Sequence, residues 1–434
     1  MDHNGQIAIV PGRLMGEVRV PPSKSITHRA LILAALSRKP VKIAHPLDSE
    51  DTRFTLQALQ ALGYEVAVAP NAWQFTGQYV PPRSPVRIFV GNSGTTARLM
   101  TAFAALHPGE IWIDGSPRMR QRPMAPLLEA LRTLGARIDA TDGKLPLWIR
   151  GGNLQGGRVD IDASESSQYV SALLLIAPRI AGGIHIQLTA PLVSRAYVQL
   201  TLSLLQQAGV RVDTTERGFR VAGEQQVCLP DFTVEGDVSS ASYFLIGAAI
   251  TGGRVTITNV GTHSIQGDRE VWKILAAAGA RVVETPDRIT VSGNGLKGVD
   301  WDMSACPDLV PGMAVMALFA SSKSRFRNVQ HLRFKESDRI AAIRGNIQRL
   351  GGKAEMDGAD LVVQPGVRHG AVVDPHQDHR IAMSFALAGL RLPGVVINDP
   401  DCVGKSYPTF WEDLSRLHHP LAEDVVAGNP SSGD

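Results

Sequence analysis

Six stretches of this chain gather anion-binding side chains at points where a helix begins. They read PPSKSITHR, GNSGTTAR, SESSQYV, EGDVSSAS, CPDLV and DHR. Ser, Thr, Asp and Asn at such points cap free backbone N–H groups, and capping accounts for each start taken singly. It does not account for Lys24, Arg29, Asn92, Gln168, His379 and Arg380, which accompany the caps. Helix N-termini present unpaired N–H groups and the positive end of the peptide dipole, so several sharing one face suit anions. Three further segments point the same way. GSPRMRQRP at 115–123 holds Arg118, Arg120 and Arg122; RFKESDR at 333–339 holds Lys335, Glu336 and Arg339; VGKSYP holds Lys405. Each alone also fits a solvated charged face. Together they imply a substrate with several negative charges, phosphate plus carboxylate, because guanidinium forks engage both.

Acid–base candidates are few. Asp308 opens a very apolar helix, where burial perturbs a carboxyl group; the alternative is an N-cap. Glu336 lies between Lys335 and Arg339, which keep it ionised unless it is buried. Lys24 follows two prolines and precedes a helix, a rigid placement for a lysine. Two apparent motifs fail on context. GNGLKG at 293–298 matches GxGxxG but runs into VDWDM rather than a helix. Gly404-Lys405-Ser406 resembles the end of a phosphate loop, but Asp399 stands where its partner glycine belongs. Cys228, Cys306 and Cys402 are far apart, and there is no CxxC or HExxH. This excludes a disulfide framework and implies no metal site.

The elements that must position these residues recur. A helix-like stretch closed by glycine and followed by a β-like run ends at Gly63, Gly135, Gly209, Gly279 and Gly351, spaced 70 to 74 residues apart. PTFWEDLSRL at 408–417 falls where a sixth copy belongs but lacks the glycine. Each glycine suits the left-handed residue that ends a helix. A second series, apolar nearly all round, starts at His28, Thr95, Ser166, Ser239, Pro307 and Asp378. Such helices are buried ones. The period therefore predicts six βαβ-type units of about 72 residues with buried inner helices, and a function built between units. A chain of 434 residues favours two domains of three units, divided near VEGDVSSAS.

Composition narrows the function classes. With 44 basic and 41 acidic residues the net charge is +3, too balanced to argue for nucleic acid or a membrane surface. No run of 18 apolar residues exists, so no membrane span is expected. MDHNGQIAIVPG has neither signal nor transit character, and the expected location is cytoplasmic. The polar tail from about residue 421 is expected to fray.

PPSKSITHRAL, GNSGTTAR, GSPRMRQRP, SSQYVSALL, EGDVSSASYF, FKESDRI, DHRIAMSF and VGKSYPTFWEDL occur in order over residues 10–418. This set resembles the EPSP synthases, the 3-phosphoshikimate 1-carboxyvinyltransferases. The resemblance implies an α/β fold of two domains, each of three βαβαββ repeats whose buried parallel helices point their N-termini into an interdomain cleft. It places residues 21–235 in one domain and 1–20 plus 236–434 in the other. The implied reaction transfers the enolpyruvyl group of phosphoenolpyruvate to the 5-hydroxyl of shikimate 3-phosphate through a tetrahedral intermediate. It needs no cofactor, and a monomer with these two small-molecule partners is expected.

Carried over by motif, Asp308, Glu336 and Lys24 are the implied catalytic residues. Shikimate 3-phosphate would meet Lys24, Ser25, Arg29, Ser166, Ser167, Gln168, Ser194, Tyr197, Asp308, His331 and Lys335. Phosphoenolpyruvate would meet Lys24, Asn92, Gly94, Thr95, Arg122, Gln168, Arg339, His379, Arg380 and Lys405. Glyphosate imitates phosphoenolpyruvate in this family, and Gly94 leaves room for it. The chain departs from some members at His331, which stands in place of Asn and would add pH dependence. It departs again at Arg195-Ala196, which replaces Lys-Pro. A sister family acting on a UDP-amino sugar places a reactive cysteine in the loop equivalent to 115–123; this loop has none. A non-catalytic relative would have a broken Lys/Asp/Glu set, whereas Lys24, Asp308 and Glu336 are all present.

Overall fold

The computed structural model describes residues 5–83 and 85–420, so the first four residues and the tail from 421 lie outside the described residues. In chain order the α-helices are α1 (Lys24–Ser37), α2 (Glu50–Ala61), α3 (Gly94–Ala105), α4 (Ala125–Thr133), α5 (Gln168–Ile176) and α6 (Arg195–Gln207). They continue as α7 (Val238–Thr251), α8 (Glu270–Ala277), α9 (Val310–Leu318), α10 (Arg339–Arg349), α11 (His379–Gly389) and α12 (Phe410–Leu417). The odd-numbered helices are buried along nearly their whole length, as their uniformly apolar sequences require. The even-numbered ones bury a single stripe.

Local signals fix the ends. Ser23, Ser93, Asp237 and Asp378 accept backbone N–H bonds at the starts of α1, α3, α7 and α11. α1 therefore begins at Lys24, four residues before the apolar run at His28. Ser167 makes no such bond, and α9 is preceded by a 3-10 turn at Pro307–Leu309. The closing glycines are left-handed, with φ of 95° at Gly63 and 102° at Gly279. α12 needs no glycine because the chain leaves it in extended conformation, directly into a strand at His418–Pro420.

Six small sheets repeat one pattern. In the second unit Val86–Phe89 pairs in parallel with Gly109–Asp114 across the α3 connection, and Lys144–Gly151 and Arg137–Thr141 follow antiparallel. The third and fifth units repeat this order. The others borrow strands from distant segments. Phe232–Thr233 pairs in parallel with Val41–Ala44 and completes the first unit. Gly12–Val18 pairs in parallel with Arg254–Ile257 and completes the fourth. Gln6–Ile9 pairs antiparallel with Val395–Asn398 and completes the sixth. The result is two domains of three βαβαββ repeats, and the buried apolar residues form two corresponding clusters.

The chain passes between the clusters twice, and the two passages lie side by side. The Ser23 N–H donates to the Glu235 carbonyl at 2.8 Å, and the Asp237 N–H donates to the Pro21 carbonyl at 2.8 Å. The Asn259 side chain bonds both the N–H and the carbonyl of Val20, while its own carbonyl accepts from Gly236. The Asp237 carboxylate caps α7 through Ser240 and also accepts the Lys24 N–H, tying together the starts of α1 and α7.

Ile9, Leu14, Val18 and Val20 are all buried in the second cluster. Their burial contributes about 6–12 kcal/mol, comparable with the whole stability of a domain. A chain beginning at residue 21 is therefore expected to lose the cooperative unfolding of its second half in a calorimetric scan. Two undiminished transitions in that scan would show the borrowed strands to be dispensable.

Candidate active site

The starts of five of the six inner helices converge on one cavity; the start of α7, EGDVSSAS, does not line it, because Asp237 is engaged in capping α7 and tying it to Lys24. Lys24, Ser25 and Arg29 of α1, Thr95 of α3, and Ser166, Ser167 and Gln168 at the head of α5 line one side, with Arg122 and Tyr197. Asp308, Lys335, Glu336 and Arg380 line the other. The two sides come from different hydrophobic clusters, so the cavity lies between the halves of the molecule.

The first side is cationic. The buried Arg29 guanidinium is held by Thr201 at 2.7 Å and by the Ser25 carbonyl at 2.8 Å, and its nearest partners are hydroxyls and carbonyls. Burial pushes its pKa down to about 10. A guanidinium so placed favours an incoming anion. Lys24 pairs with Asp51 at 3.0 Å; Lys405 reaches the other Asp51 oxygen at 3.8 Å and the Asn92 carbonyl at 3.0 Å. Burial by itself would raise the Asp51 carboxyl, but Lys24 and Lys405 outweigh it and hold it below its ordinary value. Arg122 donates to the Asn92 carbonyl at 3.1 Å, and Gln168 donates to Thr95 at 3.1 Å. A Cβ added to Gly94 would lie 2.4 Å from Arg122 and 2.6 Å from Arg98, so glycine permits the close approach of these guanidinia.

The second side is an ion cluster. Asp308 does not act as an N-cap. It lies inside the 3-10 turn and pairs with Arg339 at 2.8 Å and Arg380 at 2.7 Å. Burial would raise its carboxyl, but Arg380 and Arg339 outweigh burial and hold it well below the usual carboxylate range. Glu336 corrects a simple expectation: it is shielded from water yet stays ionised. Arg339 at 2.7 Å and Arg122 at 4.0 Å, with Lys405 and Lys24 nearby, overcome the burial penalty. Burial lowers the Lys335 ammonium to about 8.

The other expected residues lie beside this cavity. Arg339 sits behind Asp308 and Glu336 and also pairs with Asp378 at 2.8 Å. His379 is fully buried, and burial followed by Lys24 holds its ring neutral. His331 is also buried, and its pKa falls to about 3, chiefly through burial and Lys335. It is therefore neutral near pH 7, and the pH dependence expected from it does not arise there. Ser194 adopts a left-handed conformation and donates its N–H to the Ser304 carbonyl at 2.8 Å. Arg118 does not face the cavity. It donates across the cleft to the carbonyls of Arg333 and Lys335. Arg120 is exposed and paired with Asp114.

Sequence reasoning missed Asp51, Asp378 and the Thr201–Ser171 hydroxyls. Asp51 in the first turn of α2 reads as an ordinary helix-dipole acid, and Asp378 as a cap. Among the described residues no group of three His, Cys, Asp or Glu side chains is arranged to hold a metal, and no helix is long and apolar enough to cross a membrane.

The comparisons agree on one family. Residues 10–414 match the family model described as EPSP synthase (3-phosphoshikimate 1-carboxyvinyltransferase). The chain is 42% identical to the 3-phosphoshikimate 1-carboxyvinyltransferase of Syntrophobacter fumaroxidans, over 93% of this chain and 97% of the relative. It is 42% identical to that of Methanoculleus marisnigri, over 91% and 94%. The solved structure of EPSP synthase from Acinetobacter baumannii superposes with a TM-score of 0.80 at 28% identity, covering 96% of this chain and 98% of that one.

Asp51 is the shared counter-ion of two buried ammonium groups, and removing one partner of a buried pair costs about 3–5 kcal/mol. Asp51→Asn is expected to lower the thermal midpoint by several degrees, with inorganic phosphate restoring part of the loss. A midpoint unchanged in phosphate-free buffer would remove Asp51 from this role.

Proposed function

Because the chain belongs to the EPSP synthase family, we propose a role in that family's reaction for each side chain around the cavity. The reaction moves the enolpyruvyl group of phosphoenolpyruvate onto the 5-hydroxyl of shikimate 3-phosphate and releases phosphate, a step of aromatic amino acid biosynthesis. The observation that carries the assignment is that one ionised acceptor, Asp308, held by Arg339 and Arg380, shares a single cavity with Lys24, Arg29 and Arg122 of the other half. Two anionic substrates repel each other, and preorganised cations and helix N-termini offset that repulsion without reorganising during the reaction.

Ser25, Arg29, Ser166, Ser167, Ser194, Tyr197 and His331 hold shikimate 3-phosphate, with Arg29 taking its phosphate. Lys335 and Gln168 orient the ring. Arg122, Arg380, Arg339 and Lys405 hold phosphoenolpyruvate, with Asn92, Gly94, Thr95 and His379 shaping that end. In the addition step Asp308 accepts the proton of the 5-hydroxyl as its oxygen bonds to C2, and the Lys24 ammonium supplies a proton to the methylene carbon. In the elimination step the bond from C2 to the phosphate oxygen breaks and the methyl group loses a proton; the proton taken from the 5-hydroxyl leaves with the phosphate, and the one taken from the methyl group restores Lys24. The ionised state of Glu336 suits it to relay that proton.

The proposal includes a division into residues 21–235 and residues 1–20 with 236–434, a monomeric state and a cytoplasmic location. The two apolar clusters and the paired passages between them support the division. The test is phosphate release by purified protein given the two substrates singly and together, with a chelator present. Release only with both supports the reading; release with a UDP-amino sugar as acceptor instead would replace it.

Two variants follow. Asp308→Ala is expected to lose about 10²–10⁴-fold in kcat while binding shikimate 3-phosphate with little change; near-normal turnover would remove Asp308 as the base. The wild type is expected to be inhibited by glyphosate in competition with phosphoenolpyruvate. Gly94→Ala displaces Arg122 and is expected to raise KM for phosphoenolpyruvate and weaken that inhibition together. A variant with both values unchanged would show that Gly94 does not set this site.

A further inference from the structure

A second buried carboxyl group lies next to Asp308, and the mechanism leaves it unused. Asp268 occupies the 3-10 turn Gly267–Arg269 before α8 and is 3% exposed. Its Oδ2 faces the Ser239 hydroxyl and, at 3.3 Å, the Tyr197 phenol. Its Oδ1 is buried without a partner. The same phenol oxygen lies 2.9 Å from Asp308 Oδ2.

Hydrogen counting then constrains the site. A phenol has one hydrogen and cannot donate to two carboxylates at once. If both aspartates were ionised and the phenol hydrogen went to Asp308, Asp268 would be a buried charge with one hydroxyl donor, Ser239, and an Oδ1 without a partner, which is costly. The conflict disappears when one carboxyl group is protonated. Asp308 has two guanidinium partners, Arg339 and Arg380, so it keeps the charge. Asp268 has hydroxyl partners only, so it keeps the proton.

The surroundings favour that division. Facing Asp268 are Tyr197 from α6, Asp237 and Ser239 at the head of α7, Cys306 and Asp308 from the turn before α9, and Arg380 from α11; Glu270 of α8 acts on Cys306. Arg380 is the one cation among these, and it is engaged with Asp308 at 2.7 Å. Burial first, and then the Asp308 charge, push the Asp268 carboxyl up to about 7.

We propose that Asp268 is a positioning residue which, as a neutral carboxyl, leaves the Tyr197 hydrogen to Asp308 and so holds the base in its reactive orientation. The proposal rests on the assignment of Asp308 as base. Ionisation of Asp268 reopens the competition for the phenol hydrogen and adds a negative charge beside the reacting centre. Turnover therefore falls as pH rises through the Asp268 titration.

The test compares the pH profiles of kcat for wild type, Asp268→Asn and Asp268→Ala. Asn stays neutral at every pH and can still donate to Tyr197. It is expected to keep kcat within about threefold of wild type in acid and to lose the decline near pH 7, while Ala loses tenfold or more through misplacement of the base. Infrared difference spectra give a second readout independent of turnover: a protonated-carboxyl carbonyl band in wild type near pH 6, missing in Asp268→Asn. A profile for the Asn variant that overlays wild type, or no band lost, would overturn the role. Failure of wild type to release phosphate from the two substrates would instead overturn the functional assignment, and the infrared band would still decide the protonation of Asp268.

Discussion

Arg339 is almost completely shielded from water, and it pairs with Asp308, Glu336 and Asp378 at once. Much of the cavity depends on that one guanidinium. Its three partners come from the turn before α9, the segment before α10 and the head of α11, so their ion pairs fix the relative positions of three elements. A guanidinium does this better than an ammonium because its donors are set in a rigid plane. The cation also keeps Asp308 and Glu336 ionised where burial alone would neutralise them. Asp51 does the converse on the opposite side, one carboxylate between Lys24 and Lys405. The cavity is thus lined largely by charges that are already compensated, with Arg29 and Lys335, which have no ion-pair partner among the described residues, as exceptions.

Contacts across the cleft are polar. Asn92 meets the Glu336 carbonyl at 3.4 Å, Arg118 meets two carbonyls, Lys405 meets the Asn92 carbonyl, and Ser194 meets Ser304. Two ion pairs, Lys405–Asp51 at 3.8 Å and Arg122–Glu336 at 4.0 Å, and the Tyr197–Asp308 bond at 2.9 Å also join the halves. Polar groups of this kind can be taken over by water or by an anionic ligand when the halves part. The apolar burial lies inside each half and is not at stake when they part. The paired passages near residues 21 and 236, stapled by Asn259, keep the halves attached in a way that permits bending and resists twisting. In this arrangement Asp308, Glu336 and Arg380 stand against Lys24, Arg122 and Gln168 around one cavity.

The repeat was legible in the sequence because each unit ends an outer helix at a left-handed glycine and buries an inner helix without a polar face. Gly63 to Gly351 mark the period, and only α12, which turns straight into a strand, escapes the rule. The cations of the cavity were legible because Lys24, Arg29 and Arg380 exceed what capping requires. Three things were hidden. Phe232–Thr233 is too short to carry a strand signal, and its pairing with Val41–Ala44 is fixed by tertiary packing. Asp51 and Asp378 stand where acids suit any helix start, so nothing marked them as counter-ions. His331 looked titratable by residue type, whereas its burial beside Lys335 decides the matter.

The borrowed strands also set the order in which this molecule can be finished. Gln6–Ile9 pairs with Val395–Asn398, and Gly12–Val18 pairs with Arg254–Ile257 and with His418–Pro420. The first of these segments leaves the ribosome some 386 residues before its partner, which at cellular rates of elongation is roughly 20–80 s. During translation the first half has all three of its units by residue 233, while the opening segment waits with its edges unpaired. These two segments are thus made long before they can find their place, and the nascent chain carries two exposed strands that chaperones or premature pairing can claim.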